Sequence, residues 1–331
     1  MSRQPARSWV PALLGDIGGT NARFALLDSR GRIEQIQVLA CDDHGGLAEA
    51  VESYLAGQSA RARASPRAAA IDVAGPVAGD FAALTNHPWS FSQRALKSRL
   101  GLEQLLVVND FAAVAAATPH LGRRQCLRIG GKSAAAEAPI GVIGPGSGLG
   151  VGAILPIEGR WIALAGEGGH VSLAPGSLRE DRVLDLMRRR FGHVSAERAL
   201  SGPGLVNLYN VLSELDGVPA QPYGAEQVTD PTLCESDPHC REALMMFADM
   251  LGAVAGDLAL TLGARGGVYI AGGIVPRLGR AFPSERFRQR FEDKGRMRRY
   301  LAEIPTLLIR HPYPAFLGLA ALLQGRSAIA G

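Results

Sequence analysis

Four short stretches carry side chains that can do chemistry. Asn109-Asp110 closes an apolar run, Leu105-Leu106-Val107-Val108, just before an alanine-rich segment that starts at Phe111. In α/β proteins such a strand end is where ligands bind, and a carboxylate there can accept a proton from a hydroxyl nucleophile. Asp110 equally suits an N-cap for a helix from Phe111 onward, and local sequence leaves both roles open. Glu167-Gly168-Gly169-His170 sets a carboxylate and an imidazole three apart around two glycines. That spacing lets both side chains enter one pocket, although a plain surface loop reads the same way. Glu197, in His193-Val194-Ser195-Ala196-Glu197-Arg198, is a weaker candidate, because a first-turn glutamate ordinarily answers the helix dipole. The fourth stretch, Gly15-Asp16-Ile17-Gly18-Gly19-Thr20, joins a carboxylate to a glycine turn whose N–H groups can approach an anion. A carboxylate beside a phosphate-sized gap implies a divalent cation, since the two anions would otherwise repel. A nucleoside-triphosphate site and an ordinary Gly-Gly hairpin are the two readings of this stretch.

The elements that must position these groups follow from the apolar pattern. Leu13-Leu14 and Phe24-Ala25-Leu26-Leu27 flank the first glycine turn, which predicts strand, turn, strand. Half the chain later, Ile140 to Leu155 repeats the design around Gly144-Pro145-Gly146-Ser147-Gly148. The similarity is of pattern and not of residues, so it suggests a duplicated fold. Two such hairpins facing each other across a cleft could hold two ends of one polyphosphate. Further strands are predicted over 33–39, 68–74, 105–108, 267–273 and 306–309, and helices over 47–55, 92–100, 111–117, 182–191, 203–215, 241–262 and 316–323. In the long helix Gly252, Ala253, Ala255 and Gly256 permit close packing. A helix from Ile274 would present its N-terminus to a ligand. The alternation is that of an α/β protein with mixed strand directions. The polar, basic stretch 121–137 marks a domain boundary.

Composition narrows the classes. At 331 residues, 47% hydrophobic and 20% charged, the chain is globular and long enough for two domains. Its net charge of +4 is modest and suits small anionic substrates as well as nucleic acid. Four cysteines without framework spacing argue against disulfides and for a reducing cytoplasm. The start of the chain is too short in apolar residues for a signal peptide. No uninterrupted apolar stretch approaches the ~20 residues of a membrane helix, so no membrane partner is expected.

Several patterns are decoys. Cys126-Leu127-Arg128-Ile129-Gly130-Gly131-Lys132-Ser133 nearly matches a P-loop but has cysteine in place of the first glycine. The glycines from Gly144 to Gly152 lack the Rossmann context, because Leu149 stands where the third glycine belongs and a strand follows. Cys234, His239 and Cys240 lack a fourth zinc ligand. The run Arg286-Phe287-Arg288-Gln289-Arg290 mixes arginine and aromatics as nucleic-acid surfaces do, but Glu285, Glu292 and Asp293 interrupt it, and a solvated amphipathic helix fits better.

Taken in order, Gly15 to Arg23, Thr85-Asn86-His87, Asn109-Asp110-Phe111, Gly146 to Val151, Gly166 to Val171, Gly192 to Arg198, Leu200 to Tyr209 and Gly266 to Arg277 form a set. That set resembles the bacterial glucokinases that lack the cysteine-rich zinc motif of the ROK sugar kinases. The resemblance implies an α/β, two-domain, actin-like ATPase (ribonuclease H-like) fold with a central cleft. It implies a small domain of residues 1–120 plus 314–331 and a large domain of 121–313. It implies a cytoplasmic homodimer that phosphorylates glucose at its 6-hydroxyl with ATP and Mg²⁺, and whose domains close over the sugar to exclude water. Asp110 would be the general base. Asn109, Asp110, Glu167, His170 and Glu197 would bind the sugar. Gly15, Asp16, Ile17, Gly18, Gly19, Thr20, Gly146, Ser147 and Gly148 would hold the ATP phosphates, with Asp16 near Mg²⁺ and Gly272 and Gly273 under the adenosine. Ser147 replaces a threonine of the family and keeps its hydroxyl. The segment before Leu13 is slightly long for the family and is expected to be loosely ordered. Two other readings are a kinase for mannose or fructose and a non-catalytic sugar-sensing regulator. The latter needs a DNA-binding module, and no helix-turn-helix precedes Leu13.

Overall fold

The structure, a computed structural model, describes residues 12–58 and 66–330. The expectation about the segment before Leu13 falls mostly on residues 1–11, outside the described residues. The chain divides into two compact units. One comprises the described residues of Met1–His120, Ile157–Ala163 and Pro312–Gly331, and the other comprises Leu121–Pro156 and Leu164–His311.

The first unit opens with β1 (Ala12–Ile17), β2 (Asn21–Leu27) and β3 (Ile33–Ala40), followed by α1 (Leu47–Ala56) and β4 (Ala68–Val73). Three short strands, β5 (Val77–Ala78), β6 (Phe81–Ala83) and β7 (Ser90–Ser92), make a small antiparallel sheet of their own. Then come α2 (Gln93–Arg99), β8 (Gln104–Asn109) and α3 (Asp110–Ala117). The main sheet has the order β3-β2-β1-β4-β8, with β1 antiparallel to β2 and parallel to β4, and β4 parallel to β8. Leu13, Ile17, Phe24, Tyr54 and Ile71 are fully buried in its core, and each large apolar side chain so placed contributes roughly 1.5–3 kcal/mol.

The second unit contains β9 (Cys126–Gly130), β10 (Ile140–Pro145) and β11 (Leu149–Ile157), followed after β12 (Arg160–Gly166) by helices α4 (Leu178–Phe191), α5 (Gly202–Leu215), α6 (Ala225–Val228), α7 (Pro231–Ser236) and α8 (Pro238–Leu262). Strand β13 (Gly267–Ile270), α9 (Ile274–Leu278), α10 (Ser284–Glu292), α11 (Arg298–Glu303) and β14 (Thr306–Ile309) complete it. Its strands run in the order β11-β10-β13-β14-β9. Here β10 is antiparallel to its hairpin partner β11 and parallel to β13, which is parallel to β14. The hairpin strand therefore sits between an antiparallel and a parallel neighbour in both units, and the repeat suggested by the glycine turns is a repeat of topology.

The chain closes with α12 (Pro314–Leu323) and β15 (Ser327–Ile329), both in the first unit. Helix α12 packs on α3, and the two backbones come so close that a Cβ at Gly318 would collide with the Ala113 carbonyl. Strand β15 pairs in parallel with Trp161, Ile162 and Ala163 of β12.

Caps explain where several helix boundaries depart from the apolar pattern. Ser177 accepts the Glu180 N–H and starts α4 at Leu178, four residues earlier than apolar spacing predicts, and Gly192 with φ 71° ends it. Asp237 caps α8 with Pro238 at its first position, and left-handed Gly263 stops it. Helix α8 has the length and composition of a membrane span, although Arg241, Glu242, Asp249 and Asp257 interrupt its apolar residues, and 67% of its apolar window is buried within the fold. Its glycines do permit close packing: a Cβ at Gly252 would strike the Phe287 carbonyl of α10.

The basic run forms α10, the amphipathic helix expected, with Ser284, Glu285, Arg286 and Gln289 exposed, and its arginines also tie it to the rest of the fold. Phe287 and Phe291 are fully buried. Arg288 donates to the carbonyls of Leu301, Ala302 and Ile304 at the end of α11. Arg286 pairs with Asp249 and Arg290 with Glu180. The near-P-loop segment is edge strand β9, antiparallel to β14. Its Gly130 makes room for the Arg288 side chain and its Gly131 for the Ile304 carbonyl, so these are packing glycines.

Candidate active site

The first glycine turn is a tight link between β1 and β2. Gly18 N–H donates to the Asn21 carbonyl at 3.0 Å, and the Cys41 N–H donates to Thr20 O at 2.9 Å. Gly19 lies against Asn86, where a Cβ would come within 3.1 Å of the backbone carbonyl. This contact joins the turn to the Thr85-Asn86-His87 string. Asp16 faces Arg23 across the hairpin, and its Oδ2 receives the Arg23 guanidinium at 3.1 Å.

Asp110 begins α3 where β8 ends. The helix cap is Asn109, whose Oδ1 accepts the N–H groups of Phe111 and Ala112 at 2.9 and 3.2 Å. The alternative of Asp110 as the cap is thereby corrected. With the neighbouring residue taking that task, the Asp110 carboxylate stands at the first helical position, with Oδ1 near the Phe111 N–H.

A further carboxyl lies beside these two. Asp72 is fully buried on β4, opposite Asp16 in the parallel register, and among the described residues no donor reaches either of its oxygens. Burial pushes its pKa well above the ordinary value, and the charges of Asp16 and then Asp110 push it in the same direction. Asp16, Asp72 and Asp110 thus gather at the C-terminal ends of three adjacent parallel strands. The sequence reading passed over Asp72, although a lone carboxylate inside the apolar run 68–74 was a signal.

In the second unit, the Gly146-Ser147-Gly148 turn closes on itself, with the Gly146 N–H donating to Gly148 O at 2.8 Å. Two other stretches converge on it. Glu167 precedes and His170 closes a short 3-10 turn, Gly168–His170, with both side chains exposed. The two glycines between them let this turn lie against β11: a Cβ on Gly168 would press on Val151, and one on Gly169 would strike the Leu149 carbonyl. Glu197 sits in another short turn, Ala196–Arg198, packed against the first. It is not a first-turn residue of a long helix, because α5 begins only at Gly202. Its Oε2 instead accepts the Leu149 N–H at 2.8 Å. Gly272, with φ 75°, abuts the end of β10 at Pro145, so the second glycine turn and the Gly272-Gly273 turn are neighbours. The expected helix after Gly273 is the short α9.

Each unit therefore gathers its own candidates: Asn109, Asp110 and Gly15 to Thr20 in the first, and Gly146 to Gly148, Glu167, His170, Glu197, Gly272 and Gly273 in the second. Cys234 and Cys240 join neither set. The Cys234 thiol donates to the Val228 carbonyl, and burial pushes that of Cys240 up to about 12.

The arrangement is that of the two-domain sugar kinases. A glucokinase from an Antarctic psychrotroph superposes with a TM-score of 0.85 at 36% identity, covering 95% of this chain and 99% of the other. The Balamuthia mandrillaris glucokinase, solved with glucose, shares the fold at a TM-score of 0.78 and 20% identity, covering 96% of this chain and 94% of that one. In sequence, the glucokinases of Aromatoleum aromaticum and Nitrobacter hamburgensis are 50% and 51% identical, over 97% and 94% of this chain and 96% of each relative. The glucokinase family model matches residues 13–326, and the chain belongs to the glucokinase family.

Proposed function

We propose that this chain transfers the γ-phosphoryl group of ATP to the 6-hydroxyl of glucose, with Asp110 as general base. The observation that carries the assignment is the gathering of Asp16 and Asp110 on either side of Asp72 at the ends of adjacent parallel strands, with Asn109 taking the helix cap. A sugar hydroxyl is a poor nucleophile, and a carboxylate that accepts its proton as the P–O bond forms assists the attack. Asn109, Glu167, His170 and Glu197 hydrogen-bond the other ring hydroxyls, which both donate and accept. A site built on such bonds rejects an epimer by leaving a buried group unpaired. The two glycine turns supply N–H groups to the phosphates, and the Gly272-Gly273 turn, free of side chains, lies under the adenosine.

Asp16 suits Mg²⁺, which is usually bound through one or two carboxylates together with phosphates and water: it is partly exposed, with Arg23 on only one of its oxygens. Asp16 would hold the ion, which when bound neutralises charge on the nucleotide phosphates. Arg23 keeps the Asp16 carboxylate in place. The reading includes a homodimer in the cytoplasm, with neither nucleic acid nor membrane as partner; sedimentation velocity showing only monomer would remove the dimer from it.

A coupled assay for ADP release with glucose, mannose and fructose tests the proposal. Glucose is expected to give the highest kcat/KM. A higher value for either other hexose assigns the chain to that sugar, and no ADP release with any of the three refutes the kinase reading.

A further inference from the structure

Glu197 touches the phosphate turn directly. Its Oε2 accepts the N–H of Leu149, the residue that follows Gly146-Ser147-Gly148. A Cβ on Gly148 would occupy the place of that same oxygen, so glycine at 148 is what leaves room for the carboxylate. The Glu197 backbone is held as well: its carbonyl accepts the Ser201 hydroxyl at 2.8 Å, and the Ser201 Oγ accepts the Gly204 N–H at 3.0 Å as the cap of α5. One residue after that cap, the Gly202 N–H donates to the Gly146 carbonyl at 2.8 Å. The turn is thus gripped at both ends by the segment from Glu197 to Gly202, at one end through a side chain and at the other through backbone.

A carboxylate has two oxygens and can accept on both. Oε2 is committed to the turn, which leaves Oε1 for a sugar hydroxyl. We propose that Glu197 is a positioning residue that couples sugar binding to the phosphate turn, accepting a glucose hydroxyl on Oε1 while Oε2 fixes the Leu149 N–H. The proposal rests on the reading of Glu197 as a sugar ligand given above. A bound hydroxyl restricts the rotation of the carboxylate, and with it the freedom of the turn that receives the nucleotide phosphates. By linkage, nucleotide bound to a fixed turn then tightens sugar in the same proportion.

Calorimetric titration of the full chain with AMPPNP, with and without saturating glucose, measures this coupling. In the parent protein glucose is expected to tighten AMPPNP by at least about 5-fold, at the low end of typical coupling between sites. Glu197→Gln keeps one acceptor oxygen for the Leu149 N–H but offers an amide NH₂ in place of Oε1. It is expected to bind AMPPNP alone as the parent does, while the coupling falls below about 2-fold. Glu197→Ala removes the grip and weakens AMPPNP even without glucose, so the glutamine variant is a conservative rescue of the turn. Gly148→Ala displaces the flexible Glu197 side chain and is expected to raise the glucose Kd, although Gly148 itself belongs to the phosphate turn.

The failures are distinct. If Glu197→Ala and Glu197→Gln bind glucose as the parent does, Glu197 is not a sugar ligand and the underlying reading fails. If glucose affinity falls in both while the AMPPNP coupling stays at the parent value, or if the parent shows no coupling, the sugar reading stands and the link is overturned.

Discussion

Asp16 and Asp72 stand opposite each other on the parallel strands β1 and β4, one partly exposed and paired with Arg23, the other fully buried with no donor among the described residues on its oxygens. Two carboxylates so placed cannot both ionise without cost. The folded chain keeps a proton on Asp72 well above its ordinary value of 3.8, whereas the unfolded chain releases it near that value. The folded state therefore binds the extra proton, and this residue's contribution to stability is greatest in acid. It falls as pH rises past 3.8 towards the raised pKa of the folded form. Asp72→Asn cannot ionise. Its melting temperature, measured without divalent ions, is expected to exceed that of the parent by a margin that widens from pH 5 to pH 8. Parallel curves for the two proteins over that range would show that Asp72 is not held protonated.

Asp110→Asn keeps the shape at the start of α3 and the cap by Asn109, and removes only the carboxylate proposed as the base. It is expected to lower kcat at least ~100-fold, within the usual range for a general base, with glucose binding largely kept. Near-normal turnover would assign the proton transfer to another group.

Gly272 has φ 75° and lies against the Pro145 carbonyl. A left-handed backbone costs a residue with a Cβ about 1–2 kcal/mol, and relief of the collision moves the turn away from β10. Gly272→Ala is expected to lower the melting temperature modestly and raise the KM for ATP more than that for glucose. An unchanged KM for ATP would separate this turn from the nucleotide.

Arg288 is held within the fold by its own partners. It is largely buried, it pairs with Glu292 at 2.6 Å, and its guanidinium satisfies carbonyls at the end of α11. Arg288→Met leaves those acceptors and Glu292 without their donor. Loss of hydrogen bonds to a charged group predicts destabilisation of about 2–3 kcal/mol, read by denaturant titration, with kcat retained at temperatures where the variant is folded. Parent-like stability would mean that water replaces the guanidinium at no cost.

Short-range information was plain to read. Two glycines between apolar runs specify a hairpin because only tight backbone geometry can join those strands, and both hairpins form where expected. The strand end at Asn109-Asp110 was visible as an apolar run meeting an alanine-rich helix. Which of the two residues caps that helix was not, since asparagine and aspartate have nearly equal cap strength. Strand β9 was hidden because an edge strand packs on one side only and tolerates the arginine and exposed leucine that broke the apolar pattern.

The sequence by itself determined the glycine turns, the α/β alternation and, through several ordered strings, the family. Tertiary structure alone decided which distant side chains share an environment. Parallel pairing of β1, β4 and β8 brings Asp72 between the carboxylates of Asp16 and Asp110, and the packing of two short turns on β11 delivers Glu197 to the Leu149 N–H. The physical reason is the range of the forces. Turns and caps are settled by residues within a few positions of one another, whereas a carboxylate's proton and partners depend on burial and on charges that only the folded chain brings near. The opening glycine turn was legible from its own residues, and the oxygen that grips the second one was not.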